Sequence, residues 1–385
     1  MNSRLLSFPE TGSFFLFGPR QTGKTTLVRS RYPEAWYVNL LFEEVFFQYS
    51  AEPGLFRRQA IEQITRQGKK TVVIDEVQRI PELLNDVQAL IDSHPDIRFV
   101  LTGSSARKLK RKGVNLLAGR AVERRLFPYV QQEMGDGFSL DAVLRFGSLP
   151  SIFGKDPETS KDLLMAYVNT YLREEIRQEG LIRNLGAFSR FLDIAASQNS
   201  ELVSFSDMAR ECGISSHTIK SYYEVLEDTM IAFPLQAWSK SARKRMVTHP
   251  RYYFFDLGVV NALNRRLSAE LDPRTKGRIF ETFIVVELHR HLHYSHSEAR
   301  LFFWRTSGGA EVDLVVEKHG RLIAACEIKT SRVIDGNVLS GIKSFKEDFP
   351  DVPCYIGCTT ELPYEKNGVR ILPWTMLIKE ITALF

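Results

Sequence analysis

A chain of 385 residues with 44% hydrophobic and 25% charged residues is long enough for two to three globular domains and too evenly mixed to be disordered or fibrous. No apolar run approaches the roughly 18 residues of a membrane helix, and the opening Met1–Leu6 is interrupted too soon by Pro9 and Gly12 for a signal peptide. The expectation is a cytoplasmic protein with no membrane partner. Its net charge of +5 is compatible with an acidic polymer without demanding one. The four cysteines (Cys212, Cys326, Cys354, Cys358) lack metal-ligand spacing, apart from the weak pair Cys354-x3-Cys358, and read as reduced thiols.

In chain order, the first element is the apolar run Phe14–Phe17, followed by Gly18-Pro19-Arg20-Gln21-Thr22-Gly23-Lys24-Thr25-Thr26 and a helix-forming segment. The spacing Gly18-x4-Gly23-Lys24-Thr25 is the P-loop pattern. Glycines let backbone N–H groups turn inward as an anion nest, and the helix opening after Gly23 adds its positive end. Lys24 is placed to reach the β- and γ-phosphates and the Thr25 hydroxyl to sit on Mg²⁺. The whole stretch Gly18–Thr26 is therefore expected to bind a nucleoside triphosphate.

A second strand, Trp36–Leu40, precedes an acidic helix with Glu43 and Glu44. Thr71–Ile74 reads as a third strand ending in Asp75-Glu76. At the C-terminal end of a buried parallel strand, Asp75 would hold Mg²⁺ through water and Glu76 would polarise the attacking water. The strand Arg98–Thr102 ends in Gly103-Ser104-Ser105, small polar residues able to read a γ-phosphate.

Taken together, Gly-Pro-Arg-Gln-Thr-Gly-Lys-Thr, Val-Val-Ile-Asp-Glu-Val-Gln and Val-Leu-Thr-Gly-Ser-Ser resemble the AAA+ ATPases of a prokaryotic group fused to a C-terminal region long without an assigned function. The resemblance covers about the first 105 residues. It implies ATP with Mg²⁺ as cofactor, the roles above for Lys24, Thr25, Asp75 and Glu76, and Ser104 as the sensor. It also implies a homo-oligomer, a ring or smaller, in which a neighbouring subunit supplies an arginine. Arg120 is the candidate, with Arg107 competing and a plain surface role open for either.

The basic cluster Arg107–Lys112 reads first as a solvated face, second as a phosphate contact. Residues 131–199 carry a helical pattern and resemble a lid or connector. Val203–Tyr223 fits a helix-turn-helix, with Ala209 packing closely, Gly213 at the turn, Ser215 or Ser216 capping, and Ile214 and Ile219 joining the helices. It looks like a winged helix whose wing strands come from Met230–Trp238 and Tyr252–Phe255. His217, Thr218, Lys220 and Ser221 face outward there, and the run Lys240–Arg245 offers cations to phosphate.

Beyond Asp256, an apolar helix (Gly277–Leu288) precedes three strands, Leu301–Arg305, Glu311–Val316 and Leu322–Lys329. Glu327 and Lys329 share a face, because strand side chains alternate with period two. Asp313 opposite them gives two oxygen ligands for Mg²⁺ or Mn²⁺ beside an ammonium, a set suited to phosphodiester hydrolysis. The order helix-Glu, strand-Asp, strand-Glu-x-Lys resembles the PD-(D/E)xK nuclease superfamily over Gly277–Phe349. By that resemblance Asp313 and Glu327 are metal ligands, Lys329 is catalytic, and Glu281 completes the site with Glu287 as understudy. Val312 replaces the proline.

The expected fold is α/β throughout: an AAA+ P-loop core (1–130), a helical lid or connector (131–199), a winged helix-turn-helix (200–255) and a restriction-endonuclease-like domain (256–385). The expected function is Mg-ATP hydrolysis coupled to handling, and cutting, of DNA. The alternative is an ATP-gated DNA-binding or scaffold protein whose nuclease-like domain binds without cutting.

Overall fold

The computed structural model describes residues 3–52, 54–105, 107, 109, 117–172, 184–240, 249–334 and 340–385. They form two compact units: one of Arg4–Pro128 with Asp228–Ile231, the other of Tyr129–Glu227 with Ala232–Phe385.

The first unit is built on five parallel strands, β1 (Ser13–Phe17), β2 (Trp36–Asn39), β3 (Thr71–Asp75), β4 (Arg98–Gly103) and β5 (Ala121–Arg125), in the order β2-β3-β4-β1-β5. Helices α1 (Lys24–Arg31), α2 (Glu43–Ala51), α3 (Leu55–Thr65) and α4 (Leu83–Ser93) connect them. Strands β1, β3 and β4 read as unbroken apolar runs because they are buried along their lengths, the mark of a parallel sheet. Phe15, Phe17, Ile74, Phe99 and Leu101 meet Leu84, Val87 and Leu90 of α4 in one core. Strand β5, Ala-Val-Glu-Arg-Arg, escapes sequence reading because it is a charged, half-exposed edge, the usual way a sheet edge is blunted.

In the second unit, helices flank a mixed eight-stranded sheet. Its strands are β6 (Ala232–Ala237), β7 (Arg251–Phe254), β8 (Arg300–Arg305), β9 (Glu311–Lys318), β10 (Arg321–Ile328), β11 (Cys354–Cys358), β12 (Tyr364–Lys366) and β13 (Val369–Pro373). They lie in the order β12-β13-β11-β10-β9-β8-β6-β7. The long helix Pro273–Tyr294 packs Phe280, Phe283 and Ile284 with Leu314, Val316, Ala324 and Cys326 in one core. The helix Ser340–Asp348 contributes Ile342 and Phe345 to a second core with Val315, Ala325 and Ile356.

Two expectations are redrawn here. Strands β6 and β7, anticipated as a wing, pair antiparallel with each other, and β6 continues parallel to β8 through Gln236↔Phe302. An isolated two-stranded ribbon buries too little to be stable in water, and joining a larger sheet resolves that. The helical stretch after residue 131 likewise belongs to the same unit as the C-terminal sheet.

The helix-turn-helix segment has the local geometry its residues dictate. Helices Phe205–Cys212 and Ser216–Asp228 are joined at Gly213, which adopts the left-handed conformation (φ 68°) open to glycine. Ser215 Oγ accepts from Thr218 N at 3.1 Å, so Ser215 is the cap. Ile219 is buried, His217 and Lys220 are exposed, and Thr218 and Ser221 are half-buried. The basic run from residue 241 to 245 and residues 108 and 110–112 of the earlier cluster lie outside the described residues.

A buried ionic hub ties this unit's helices together. Asp256 caps the helix Leu257–Leu263 through Gly258 N (2.9 Å) and Val259 N (3.3 Å) and accepts from Ser148 N at 2.8 Å. Arg290 donates to Tyr129 O (2.7 Å), Ser148 Oγ (2.8 Å) and Phe255 O (2.6 Å), and stands 3.9 Å from the Asp256 carboxylate. Burial pushes the Asp256 carboxyl up and the Arg290 guanidinium down. Desolvation thus outweighs their mutual attraction, and the hydrogen bonds hold the pair in place.

Candidate active sites

The first site forms where β1, β3 and β4 end. The loop after β1 turns through Gln21 (φ 63°) and Gly23 (φ 88°), and Thr22 Oγ1 closes it by donating to Pro19 O at 2.9 Å. A Cβ at Gly18 would overlap the Leu126 carbonyl, so only glycine fits there. Lys24 Nζ donates to Gly18 O (2.7 Å) and Pro19 O (2.9 Å), folded across the loop. Thr25 follows half-buried and Thr26 is exposed.

Asp75, buried at the end of β3, accepts from three hydroxyls: Thr25 (2.9 Å), Tyr37 (2.7 Å) and Thr102. The first of these joins the two residues expected to share Mg²⁺. A hydroxyl and a carboxylate are hard oxygen donors, so this pair fits that ion. Glu76 takes the left-handed conformation (φ 62°) and opens the turn Val77–Arg79. Burial raises its carboxyl above the ordinary range, the Lys24 charge opposes the rise and Asp75 adds to it. Gln78 Nε2 donates to Glu76 Oε2 and, at 3.4 Å, to Ser104 Oγ.

Lys24, Thr25, Asp75, Glu76 and Ser104 therefore come together in one place. Sequence reasoning missed Tyr37, Thr102 and Gln78. Gln78 stands two residues beyond Glu76 in the stretch already singled out, whereas Tyr37 and Thr102 enter only through the β2-β3-β4 register. Of the two candidate arginines, Arg120 lies elsewhere. Ala121 pairs with Ser13 at the start of β1, so Arg120 flanks the opposite end of the sheet from the P-loop. There it meets Asp92 through Nε (2.6 Å) and a second nitrogen (3.0 Å). Arg107 is paired with Asp228.

The second site lies at the C-terminal end of β10. Lys329 Nζ donates to Glu327 Oε1 at 2.7 Å and stands 3.5 Å from Asp313 Oδ2. Asp313 Oδ2 accepts from Ile328 N at 2.8 Å, across the β9–β10 pair. The β8–β9 register slips between Phe302↔Val315 and Trp304↔Val312, giving β9 an extra residue beside Asp313. Such a bulge re-aims side chains and is frequent beside active sites.

Glu281 reaches the cluster from the long helix, where Tyr253 OH (2.9 Å) and Arg251 (3.3 Å) hold it. Arg251 also pairs with Glu311 and lies 5.0 Å from the Phe303 ring centroid. Burial, then the Asp313 charge, pushes Glu281 up to about 7 and Glu327 up to about 8. Glu287, the understudy, is elsewhere: it accepts from Gln131 N and lies 3.7 Å from His291. Sequence reasoning missed Arg251 and Tyr253, which belonged to the supposed wing.

Glu327 Oε2 is buried without a hydrogen-bond partner, and a hard cation would satisfy it. Among the described residues, however, no group of three or more His, Cys, Asp or Glu side chains is arranged to hold a metal ion. The donor set that fits is the pair Asp313 and Glu327.

Comparison with known family models divides the chain into three matched stretches. Residues 10–135 match the family model of an AAA domain, and residues 138–270 and 276–377 match two domains of unknown function (DUF8612 and DUF4143). The chain thus carries an AAA-type ATPase domain followed by an extra C-terminal region. It is similar to uncharacterized protein Rv2008c of Mycobacterium tuberculosis, 29% identical over 311 residues, covering 80% of this chain and 68% of that protein. An uncharacterized protein of Haemophilus influenzae is 22% identical over 316 residues, 74% of this chain and 77% of the relative. Among solved structures, the signal-transduction ATPase PH0952 of Pyrococcus horikoshii, with its tetratricopeptide repeat sensor, aligns at 12% identity and a TM-score of 0.23. That alignment covers 73% of this chain and 43% of that one. No helix among the described residues is long and apolar enough to cross a membrane.

Proposed function

We propose that the chain hydrolyses Mg-ATP and acts on DNA, which its C-terminal unit cuts with divalent-ion assistance. The ATPase half draws on the gathered Lys24, Thr25, Asp75, Glu76 and Ser104. Lys24 offers its ammonium to the β- and γ-phosphates, Thr25 and Asp75 hold the ion, and Glu76 takes the proton of the water that attacks the γ-phosphorus. The P–O bond to the β-phosphate then breaks. A second copy of the chain completes the site with Arg120 or Arg107, each of which would leave its present carboxylate to do so.

The observation that carries the nuclease half is the convergence of Asp313, Glu327 and Lys329, with Glu327 Oε2 lacking a partner. Asp313 and Glu327 would hold Mg²⁺ or Mn²⁺, which when bound lowers the pKa of an attacking water. Lys329 neutralises charge on the scissile phosphate. The helix pair ending in Ser216–Asp228 offers exposed His217 and Lys220 to the DNA backbone.

The second reading, a DNA-binding regulator that does not cut, is favoured by the cations already seated on the carboxylates: Lys329 on Asp313 and Glu327, Arg251 on Glu281. Incubation of the purified chain with labelled linear, single-stranded and branched DNA plus Mg²⁺ or Mn²⁺ separates the two. Nicking that disappears in Asp313→Ala is the expected result. Tight, salt-sensitive binding with intact DNA overturns it in favour of the regulator.

A further inference from the structure

We propose that Gln78 is a positioning residue of the nucleotide site, fixing Glu76 and tying it to Ser104; this deepens the ATPase reading and rests on it. Glu76 sits at φ 62°, a region that non-glycine residues enter rarely and at a cost. Its own backbone is therefore a poor guarantee of where the carboxylate points. The short turn that follows supplies the constraint. Arg79 N donates to Glu76 O at 2.9 Å, and the Gln78 side chain folds back so that one amide nitrogen serves both Glu76 Oε2 and Ser104 Oγ.

The amide is confined from the other side. It lies so close over Gly103 that a Cβ there would overlap its oxygen. Gln78 is only 8% exposed, and its Oε1 has no hydrogen-bond partner. An orphaned buried carbonyl destabilises the fold, so the packing favours this orientation of the amide over its own satisfaction.

Hydrogen-bond directions give the arrangement its use. A Ser104 hydroxyl that accepts from Gln78 keeps its own proton to donate to a phosphate oxygen. The second amide hydrogen orients Glu76, leaving its other oxygen for water. One planar group thereby links the residue reading the γ-phosphate with the residue accepting the proton.

The test is steady-state ATP hydrolysis by the full chain, with Mg-ATP binding measured separately. Gln78→Ala is expected to lower kcat by about 10- to 100-fold, the scale of a misplaced catalytic group, while the Kd for Mg-ATP stays within about threefold. Gln78→Glu keeps the shape and loses the donor, so it should lose as much kcat as Gln78→Ala. In the double variant Gln78→Ala/Ser104→Ala the two losses should fall short of multiplying, because the Gln78–Ser104 hydrogen bond is already lost in each single variant. Full activity in Gln78→Glu, or losses that multiply in the double variant, overturns the inference while the ATPase reading stands. A wild-type chain without turnover overturns both.

Discussion

Burial holds the Glu327 carboxyl up at about 8 and the Glu281 carboxyl at about 7, the Asp313 charge adding to both and Lys329 opposing. In the unfolded chain both titrate near the ordinary glutamate value of roughly 4.3. Between those limits the folded state binds more protons than the unfolded one. Stability is therefore greatest below the unfolded value and declines as pH rises toward 8. Melting curves of the metal-free chain should show the second unit's transition falling between pH 5 and pH 8.5. Glu327→Gln should flatten that fall and melt higher than wild type at pH 8.5; a transition that climbs with pH would count against the buried cluster. At this scale the sequence was legible where a short motif fixes which side chains lie together, as with Lys24-Thr25 beside Asp75 and Glu327 beside Lys329. It was silent on Tyr37, Thr102 and Arg251, whose roles depend on which strand lies alongside.

Helices with strong end signals could be placed from residues alone: Gly213 and Ser215 punctuate the paired helices as read. Strand partnership was harder. The composition of β6 and β7 marks them as strands, but nothing local says whether a hairpin stands as a wing or continues a sheet. The answer comes from β8, more than 60 residues downstream. The Asp256–Arg290 hub was likewise invisible, because its partners Ser148 and Tyr129 lie over 100 residues away. Asp256→Ala removes a helix cap and leaves Arg290 without its carboxylate. It should cost about 3–5 kcal/mol, measured by urea unfolding of the second unit. A loss below about 1 kcal/mol would mean the backbone carbonyls alone satisfy Arg290.

Across the whole molecule, the α/β character and the parallel nucleotide-binding sheet could be read because buried strands leave continuous apolar runs and the P-loop has an unambiguous spacing. Segmenting the chain was less tractable. A linear reading assumes that each domain is one uninterrupted stretch, whereas the P-loop unit takes in the four residues Asp228–Ile231 from far along the chain. Asp228 pairs there with Arg107, and Met230 packs against that unit's core.

That small graft has a practical consequence for anyone cutting the gene. A polypeptide stopped at residue 130 would keep every side chain proposed for the nucleotide site yet lack Met230 on the core and the carboxylate beside Arg107. It should melt several degrees lower than the same stretch within the intact protein, roughly what one to two kcal/mol does to a domain of that length. Supplying residues 228–231 as a short fused tail should recover most of the difference.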